Sequence, residues 1–362
     1  MMMKEVFNFN AGPAALPAAV MRQAQAEFVD YKGCGYGIIE ESHRAPQFDE
    51  IIQAAEANLR TLMGISEEYD VLFLQGGASL QFAMIPMNIA LPGHKIGFCN
   101  TGEWSSKAMK EASILGAEIE LLYDGAANGF SRIEGIEAWE VPQNLAYLHI
   151  CANNTIYGTQ YKQFPKTGQV PLVCDMSSDI MSRQVDVNKF GLIFAGAQKN
   201  IGPAGLTLVI IRKDLLQRVP EGLPTMLRYT THCKSKSLFN TPPTFAIYML
   251  RLISDWLIEL GGIEAMQKIN DKKAALLYDY VDGSGYYRGT ADKASRSNMN
   301  VCFRLPNEEL EKQFVKEAKE AGLIGLKGHR AVGGCRASIY NAVPQKGVER
   351  LVEFMQQFAA KN

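Results

Sequence analysis

Lys199 closes the run FAGAQKN, where an apolar stretch ends in small residues and is followed by IGPAG. An ammonium carried to the partly buried end of a sheet is costly unless it is paired or neutralised. A lysine held neutral there, or consumed as an imine, is a nucleophile. Gly202, Pro203 and Gly205 supply a tight turn that clears space around it. Asp175 ends a second apolar run, in LVCDMSSD. A carboxylate in that place keeps a pyridine-type ring protonated and makes the ring an electron sink. Trp104, in NTGEW, offers a flat face on which such a ring stacks. Gly76-Gly77-Ala78-Ser79 follows the run VLFLQ and precedes the helical stretch Leu80 to Asn88. Glycines admit a ligand close to the backbone, and a helix start presents free N–H groups to a phosphate. The pattern is neither G-x-G-x-x-G nor a P-loop, which disfavours nucleotides.

Each residue alone has an ordinary use. Lys199 could sit in a surface loop, Asp175 could cap a helix, Trp104 could be core, and the glycines could simply turn the chain. Together they divide the tasks of one cofactor site. Cations add a second theme. His43-Arg44 lies in an early loop, His329-Arg330 lies in the glycine-rich GHRAVGG, and Arg336 follows at the start of a strand. Arginine suits bidentate recognition of carboxylate or phosphate. Two His-Arg pairs and a further arginine suit a dianionic, doubly functional substrate better than a neutral one.

Amphipathic helices alternate with short buried runs to position these groups. Strands are predicted at Tyr69–Leu74, Lys95–Cys99, Glu118–Tyr123, Leu145–Ile150, Pro171–Asp175, Leu192–Ala197 and Leu206–Arg212. Such alternation predicts an α/β fold with a mostly parallel seven-stranded sheet covered by helices on both faces. Ligands then gather at the carboxyl ends of the strands. Ile52, Ala55, Leu59 and Leu62 share one face of a helix over Asp49–Met63, stopped by Gly64; a second helix over Glu103–Leu115 is stopped by Gly116. After about residue 240 the texture changes. Helices are predicted over Thr244–Leu260, Ile263–Val281, Glu308–Ala321 and Val348–Ala360, with strands at Val301–Leu305 and Cys335–Tyr340. In the last helix Val348, Leu351, Val352, Met355 and Phe358 share a face. This predicts a smaller α+β C-terminal domain.

A net charge of −1 rules out broad attraction to nucleic acid or anionic membrane, so phosphate recognition must come from a few placed cations. The seven cysteines include no C-x-x-C pair, which argues against a zinc site or a disulfide framework and fits a reducing cytoplasm. No metal is expected. The opening segment MMMKEVFNFN lacks an apolar h-region, and the longest apolar runs are too short to cross a bilayer.

With these residues in view, the chain resembles the phosphoserine aminotransferases, class V aminotransferases with the large fold of aspartate aminotransferase. The resemblance runs nearly end to end, through FNFNAGPAALP, SHR, GGASLQF, NTGEW, NNTIYGTQ, DMSSD, FAGAQKN, NTPPT and GHRAVGGCRASIYN. It implies pyridoxal 5'-phosphate bound covalently to Lys199, with Asp175 on the pyridine nitrogen, Trp104 stacked on the ring and Thr155 on the ring-hydroxyl side. It implies that Ala78, Ser79, Gln198, Asn240 and Thr241 hold the cofactor phosphate, the last two reaching in from the other subunit of a homodimer with shared active sites. Arg336 would hold the substrate α-carboxylate. His43, Arg44, His329 and Arg330 would surround the phosphate of phosphoserine or the distal carboxylate of glutamate. Some members carry arginine where this chain has Ser79, which throws more of the phosphate grip onto those four residues.

The resemblance further implies a large cofactor-binding domain over residues 16–260, and a small domain over 1–15 and 261–362. The implied reaction is ping-pong transamination between phosphoserine and 2-oxoglutarate, giving 3-phosphooxypyruvate and glutamate, in serine biosynthesis and, in bacteria, pyridoxine biosynthesis. Three other readings compete. A cysteine desulfurase would need a mobile nucleophile, for which Cys335 is the candidate. A dinucleotide-binding oxidoreductase lacks its fingerprint. A catalytically dead binding protein sits badly with Lys199, Asp175 and Trp104 together.

Overall fold

The computed structural model describes residues 5–362. Residues 1–4, which belong to the opening segment and to the expected small domain, lie outside the described residues. The large sheet contains β1 (Tyr69–Leu74), β2 (Lys95–Asn100), β3 (Ile119–Asp124), β4 (Leu145–Cys151), β5 (Leu172–Asp175), β6 (Leu192–Gly196) and β7 (Thr207–Arg212). These are the seven apolar runs expected as strands. Across the sheet the order is β1-β7-β6-β5-β4-β2-β3.

β2 to β6 run parallel to one another, whereas β7 is antiparallel to both β1 and β6. That one reversal matters. β6 and β7 are consecutive, with Gly196 opposite Thr207, so residues 197–206 fold straight back instead of crossing over through a helix. The Lys199 segment is this turn. It is held by Ala197 N–H to Leu206 O at 3.0 Å and Gly202 N–H to Ala197 O at 2.9 Å.

Alternate side chains along each strand face opposite ways. Ile193 and Ala195 of β6 therefore join one hydrophobic core, while Leu192 and Phe194 join another. The first core packs under α2 (Pro46–Met63) and α6 (Thr244–Glu259); the second packs under α3 (Gly77–Ile89) and α4 (Glu103–Ile114). In α2 the predicted face is inward: Ile52, Ala55 and Leu59 are buried and Leu62 packs against them. Gly64 ends that helix at φ 65°, the left-handed cap that favours glycine.

Two helices escaped the sequence reading. α1 (Ala18–Glu27) buries only Val20 and Ala24, and α5 (Tyr229–Lys234) is six residues long, too short for a period to show.

A third core belongs to the C-terminal region. There Arg288–Gly289, Asn300–Arg304 and Cys335–Ser338 form an antiparallel sheet, and the early strand Phe7–Asn8 pairs with Leu323–Ile324. Helices Gly262–Gly283, Glu308–Glu320 and Gln345–Lys361 cover it. The predicted face of the last helix is buried throughout. The last strand stops at Ser338, short of the expected Tyr340. Beyond it the carbonyls of Ile339, Tyr340 and Val343 turn to the buried ammonium of Lys273, at 3.0, 2.8 and 3.0 Å. Asn270 and Asn341 then tie this region to the large sheet, through Ser182 O and Met181 O. Among the described residues no helix is long and apolar enough to cross a membrane.

Candidate active site

The carboxyl ends of β5 and β6 lie side by side, with Asp175 opposite Phe194. Asp175 is buried, and its Oδ1 accepts the Ser177 N–H at 2.9 Å. Ser177 Oγ in turn accepts the Gly196 N–H at 3.0 Å, which locks the Asp175 segment to the strand that carries Lys199. Asp175 Oδ2 has no hydrogen-bond partner among the described residues. A ring N–H could therefore take it.

Lys199 Nζ lies 4.9 Å from the centroid of the Trp104 ring. Burial pushes its ammonium below the ordinary lysine range; Asp175 opposes that shift and the Arg336 charge adds to it. A larger free-amine fraction is what a nucleophile or proton carrier needs. Gly12 presses on the other side, where a Cβ would stand 3.4 Å from Lys199 Cγ. Its neighbour Ala11 holds the Tyr340 hydroxyl through its carbonyl at 2.7 Å. Sequence reading gave Gly12 and Tyr340 no role, because neither carries a group whose chemistry stands out without its neighbours.

Trp104 stands in the first turn of α4. Gly102 starts that helix at φ 137°, and a Cβ there would collide with Asn154 Nδ2. This close approach brings the turn after β4 against Trp104. The indole N–H donates to Thr155 Oγ1 at 3.2 Å, and Arg336 Nη1 donates to the Thr155 carbonyl at 2.7 Å. Arg336 Nε is buried without a partner. Four of the expected residues thus form one connected group: Lys199, Trp104, Thr155 and Arg336.

The glycine turn after β1 adopts φ 87° at Gly76 and 66° at Gly77, a conformation that favours glycine. α3 begins at Gly77, so its first-turn N–H groups, those of Ala78 and Ser79 included, have no intrahelical acceptor. The Ser79 hydroxyl is exposed. Gln75, just before the turn, donates to Thr241 O at 3.3 Å, and Asn240 donates to the same oxygen at 3.2 Å. Within one chain, then, the 240–241 loop already touches the turn. Gln198 folds back over Gly196, and its carbonyl accepts the Ala14 N–H at 2.9 Å.

His329 sits beside Arg336. Burial lowers the affinity of its imidazole for a proton, the charges of Arg336, Arg330 and Lys107 lower it further, and Glu103 opposes them. Its loop is tied down by Arg304, which bonds Glu311 and the Val332 carbonyl. A Cβ on Gly328 would overlap the Gly333 carbonyl. His43 and Arg44 are not drawn into this group. Arg44 is exposed, and no hydrogen bond or ion pair joins either side chain to the described residues. Cys335 is buried in its strand with its thiol pushed up by burial, so it offers no mobile nucleophile.

The group combines a depressed amine, an aromatic face, a half-free buried carboxylate and an anion cradle. Comparison with known proteins is consistent with that chemistry. The family model for class-V aminotransferases matches residues 6–351. The phosphoserine aminotransferase of Syntrophobacter fumaroxidans is 55% identical over 362 residues, all of both chains. The solved phosphoserine aminotransferase from Bacillus circulans subsp. alkalophilus superposes with a TM-score of 0.96 at 52% identity, covering 99% of each chain. The phosphoserine aminotransferase of Trichomonas vaginalis, solved with pyridoxal phosphate bound, gives a TM-score of 0.89 at 38% identity, covering 97% of this chain and 100% of that one.

Proposed function

The chain belongs to the phosphoserine aminotransferases of class V, a pyridoxal-phosphate-dependent transaminase family, and on that premise we propose the following assignment of substrates and residues. The reaction is reversible ping-pong transamination between O-phospho-L-serine and 2-oxoglutarate, giving 3-phosphooxypyruvate and L-glutamate. A larger phosphorylated substrate, 4-phosphohydroxy-L-threonine, is accepted too, so that the enzyme serves pyridoxine as well as serine biosynthesis. The observation that carries the substrate assignment is the pair of arginines, Arg336 and Arg330, flanking a His329 that favours its neutral form, near the Trp104 side of Lys199.

The residues present fit the cofactor. Lys199 would hold it covalently, Trp104 would stack on the ring, and Asp175 Oδ2 is free for the ring nitrogen. Thr155 would support the hydroxyl side, while Ala78, Ser79 and Gln198 would receive the phosphate. Pyridoxal phosphate, when bound, supplies an electrophilic carbon and a ring that accepts electron density. The chain supplies the rest. Lys199 Nζ, freed when the substrate amine takes its place on the cofactor, would move the proton from the substrate α-carbon to the cofactor side, as base and then acid. Asp175 would keep the ring nitrogen protonated. Arg336 grips the α-carboxylate and so orients that proton toward Lys199.

The enzyme works as a cytoplasmic homodimer in this reading. Exposed apolar side chains at Met21, Phe28, Val29, Ile39 and Phe239 support an interface. The partner would add Asn240 and Thr241 to the phosphate cradle. His43 and Arg44, unattached within one chain, are left free to complete the substrate pocket across that interface. The division into a large domain, 16–260, and a small one, 1–15 with 261–362, is supported by the separate C-terminal core, which takes in Phe7 and Phe9.

Half-reactions of the purified enzyme with phosphoserine, serine, alanine and aspartate test the assignment. Phosphoserine should convert the cofactor at least ~100-fold more efficiently than serine, because the hydroxyl analogue leaves the arginines without their anionic partner. Equal efficiency with serine would remove the phosphate-pocket assignment while leaving the transaminase intact.

A further inference from the structure

A cleft outside the catalytic group gathers cations that transamination does not use. Its volume is 640 Å³, and Lys162, Lys166, Arg183, Lys189 and Arg212 line it with one carboxylate, Asp186. The two arginines are already engaged. Arg212 is held bidentately by Asp214, at 2.7 and 3.0 Å. Arg183 donates to Asp179 at 3.2 Å and lies over the Phe164 ring, 5.3 Å from its centroid. Asp186 is engaged too, since its Oδ1 accepts both the backbone and the side-chain N–H of Asn188 at 3.1 Å.

The lysines are different. None of the three forms an ion pair among the described residues. Lys162 Nζ reaches only the neutral amide oxygens of Gln160 and Asn298, each at 3.2 Å. Desolvation of its ammonium and the neighbouring Arg183 charge push it down, while Asp271 and Asp179 pull it back up. Asp186 in the lining and Asp271, whose charge acts on Lys162, offset part of this, which leaves a surplus of roughly one positive charge, carried by the exposed Lys166 and Lys189.

We propose that this cleft is a second anion site, separate from the active site, which takes a phosphate dianion, either free or on a small phosphate monoester. A phosphate monoester carries about −1.5 to −2 charge at neutral pH, opposite in sign to this surplus. Lysine ammoniums bind it as point charges without needing a planar fork. The volume lies in the range of small-ligand sites, roughly 300–1,000 Å³.

The test titrates inorganic phosphate into the holoenzyme by calorimetry, at ionic strength held constant with KCl. Wild-type protein should show two classes of site. In K166Q/K189Q the cleft class should weaken about tenfold or more, since two charge-assisted contacts are lost, with the visible cofactor spectrum unchanged. In R330Q the other class should weaken and the cleft class should remain. The proposal is overturned if K166Q/K189Q keeps the wild-type stoichiometry and affinity, or if the wild-type protein shows a single class of site that R330Q abolishes. If R330Q retains both classes, the active-site assignment fails and the cleft stands.

Discussion

Arg336 donates to the backbone carbonyl of Thr155 at 2.7 Å, and the hydroxyl of that same threonine accepts the Trp104 indole N–H at 3.2 Å. One residue of the turn after β4 therefore sets both the arginine assigned to the substrate carboxylate and the ring assigned to the cofactor. Thr155→Val keeps the shape and the carbonyl but removes the acceptor for Trp104. A hydrogen bond of this kind contributes ~0.5–1.5 kcal/mol net. Cofactor affinity, followed by quenching of Trp fluorescence, should fall about 3- to 10-fold, with KM for phosphoserine changed less than about 2-fold. The reverse split would show that Thr155 acts on substrate rather than on Trp104.

Lys199 titrates below the ordinary lysine range, with Arg336 pushing the same way and Asp175 pushing back. In cofactor-free protein, Arg336→Gln should move the pH midpoint for acylation of Lys199 upward, and Asp175→Asn should move it downward. Peptide mapping of the labelled lysine gives both midpoints. Shifts of the opposite sign would mean that the two charges do not act on Lys199 directly. Lys199→Arg, which cannot shuttle a proton, should lower the half-reaction rate by ~10²–10⁴ at least.

His149 is buried in β4 against Phe98, Phe82 and Phe194, and neither ring nitrogen has a hydrogen-bond partner. Burial pushes it down to about 3. An unfolded chain protonates the same ring near pH ~6.5. The neutral ring's contribution is thus fully present above ~6.5 and is lost as the pH falls from there toward about 3. The slope from this one group is ~1.4 kcal/mol per pH unit. Urea unfolding between pH 6.5 and ~4.5 should show that slope reduced in His149→Phe; parallel curves would contradict it.

Gly328→Ala places a methyl group against the Gly333 carbonyl and must displace the loop that carries His329 and Arg330. KM for phosphoserine should rise ~10-fold or more, as expected when a charged contact of ~1.5–3 kcal/mol is lost. The cofactor spectrum should remain that of the parent, because Lys199, Asp175 and Trp104 lie on other elements. Unchanged KM would separate this loop from substrate recognition.

Lys273 satisfies three buried carbonyls at once. Lys273→Met fits the volume but leaves Ile339 O and Val343 O without a donor, while Tyr340 O keeps the Val343 N–H at 3.0 Å. At ~1–3 kcal/mol for each orphaned group, the urea midpoint should fall by the equivalent of about 2 kcal/mol or more. A loss under ~1 kcal/mol would mean that the carbonyls find water instead.

Most of the sheet and the centre of the site were legible before any coordinates. β1 to β7 are short apolar runs between turn residues, and buried strands announce themselves by composition. Lys199, Asp175 and Trp104 all fall just past such runs, where an α/β sheet collects ligands. The helices Ala18–Glu27 and Tyr229–Lys234 were not legible, because few or short-range buried positions leave no period to read. Gly12, Tyr340 and the Ser177 bridge were silent for another reason. Their effect depends on a residue far away in the chain, as between Tyr340 and Ala11.

The sequence by itself determined the seven strands of the large sheet along the chain, the inward faces of α2 and the last helix, and the residue types of a cofactor site. These follow from local pattern, since burial period and turn chemistry are properties of neighbours along the chain. Only the tertiary structure decided that β7 runs against the sheet, so that Lys199 sits in a direct turn rather than a crossover. It alone placed Arg336 on Thr155 and Lys199 over Trp104. Strand direction and side-chain meeting are set by packing energies summed over distant residues, and a single chain position carries no record of the partner it will meet.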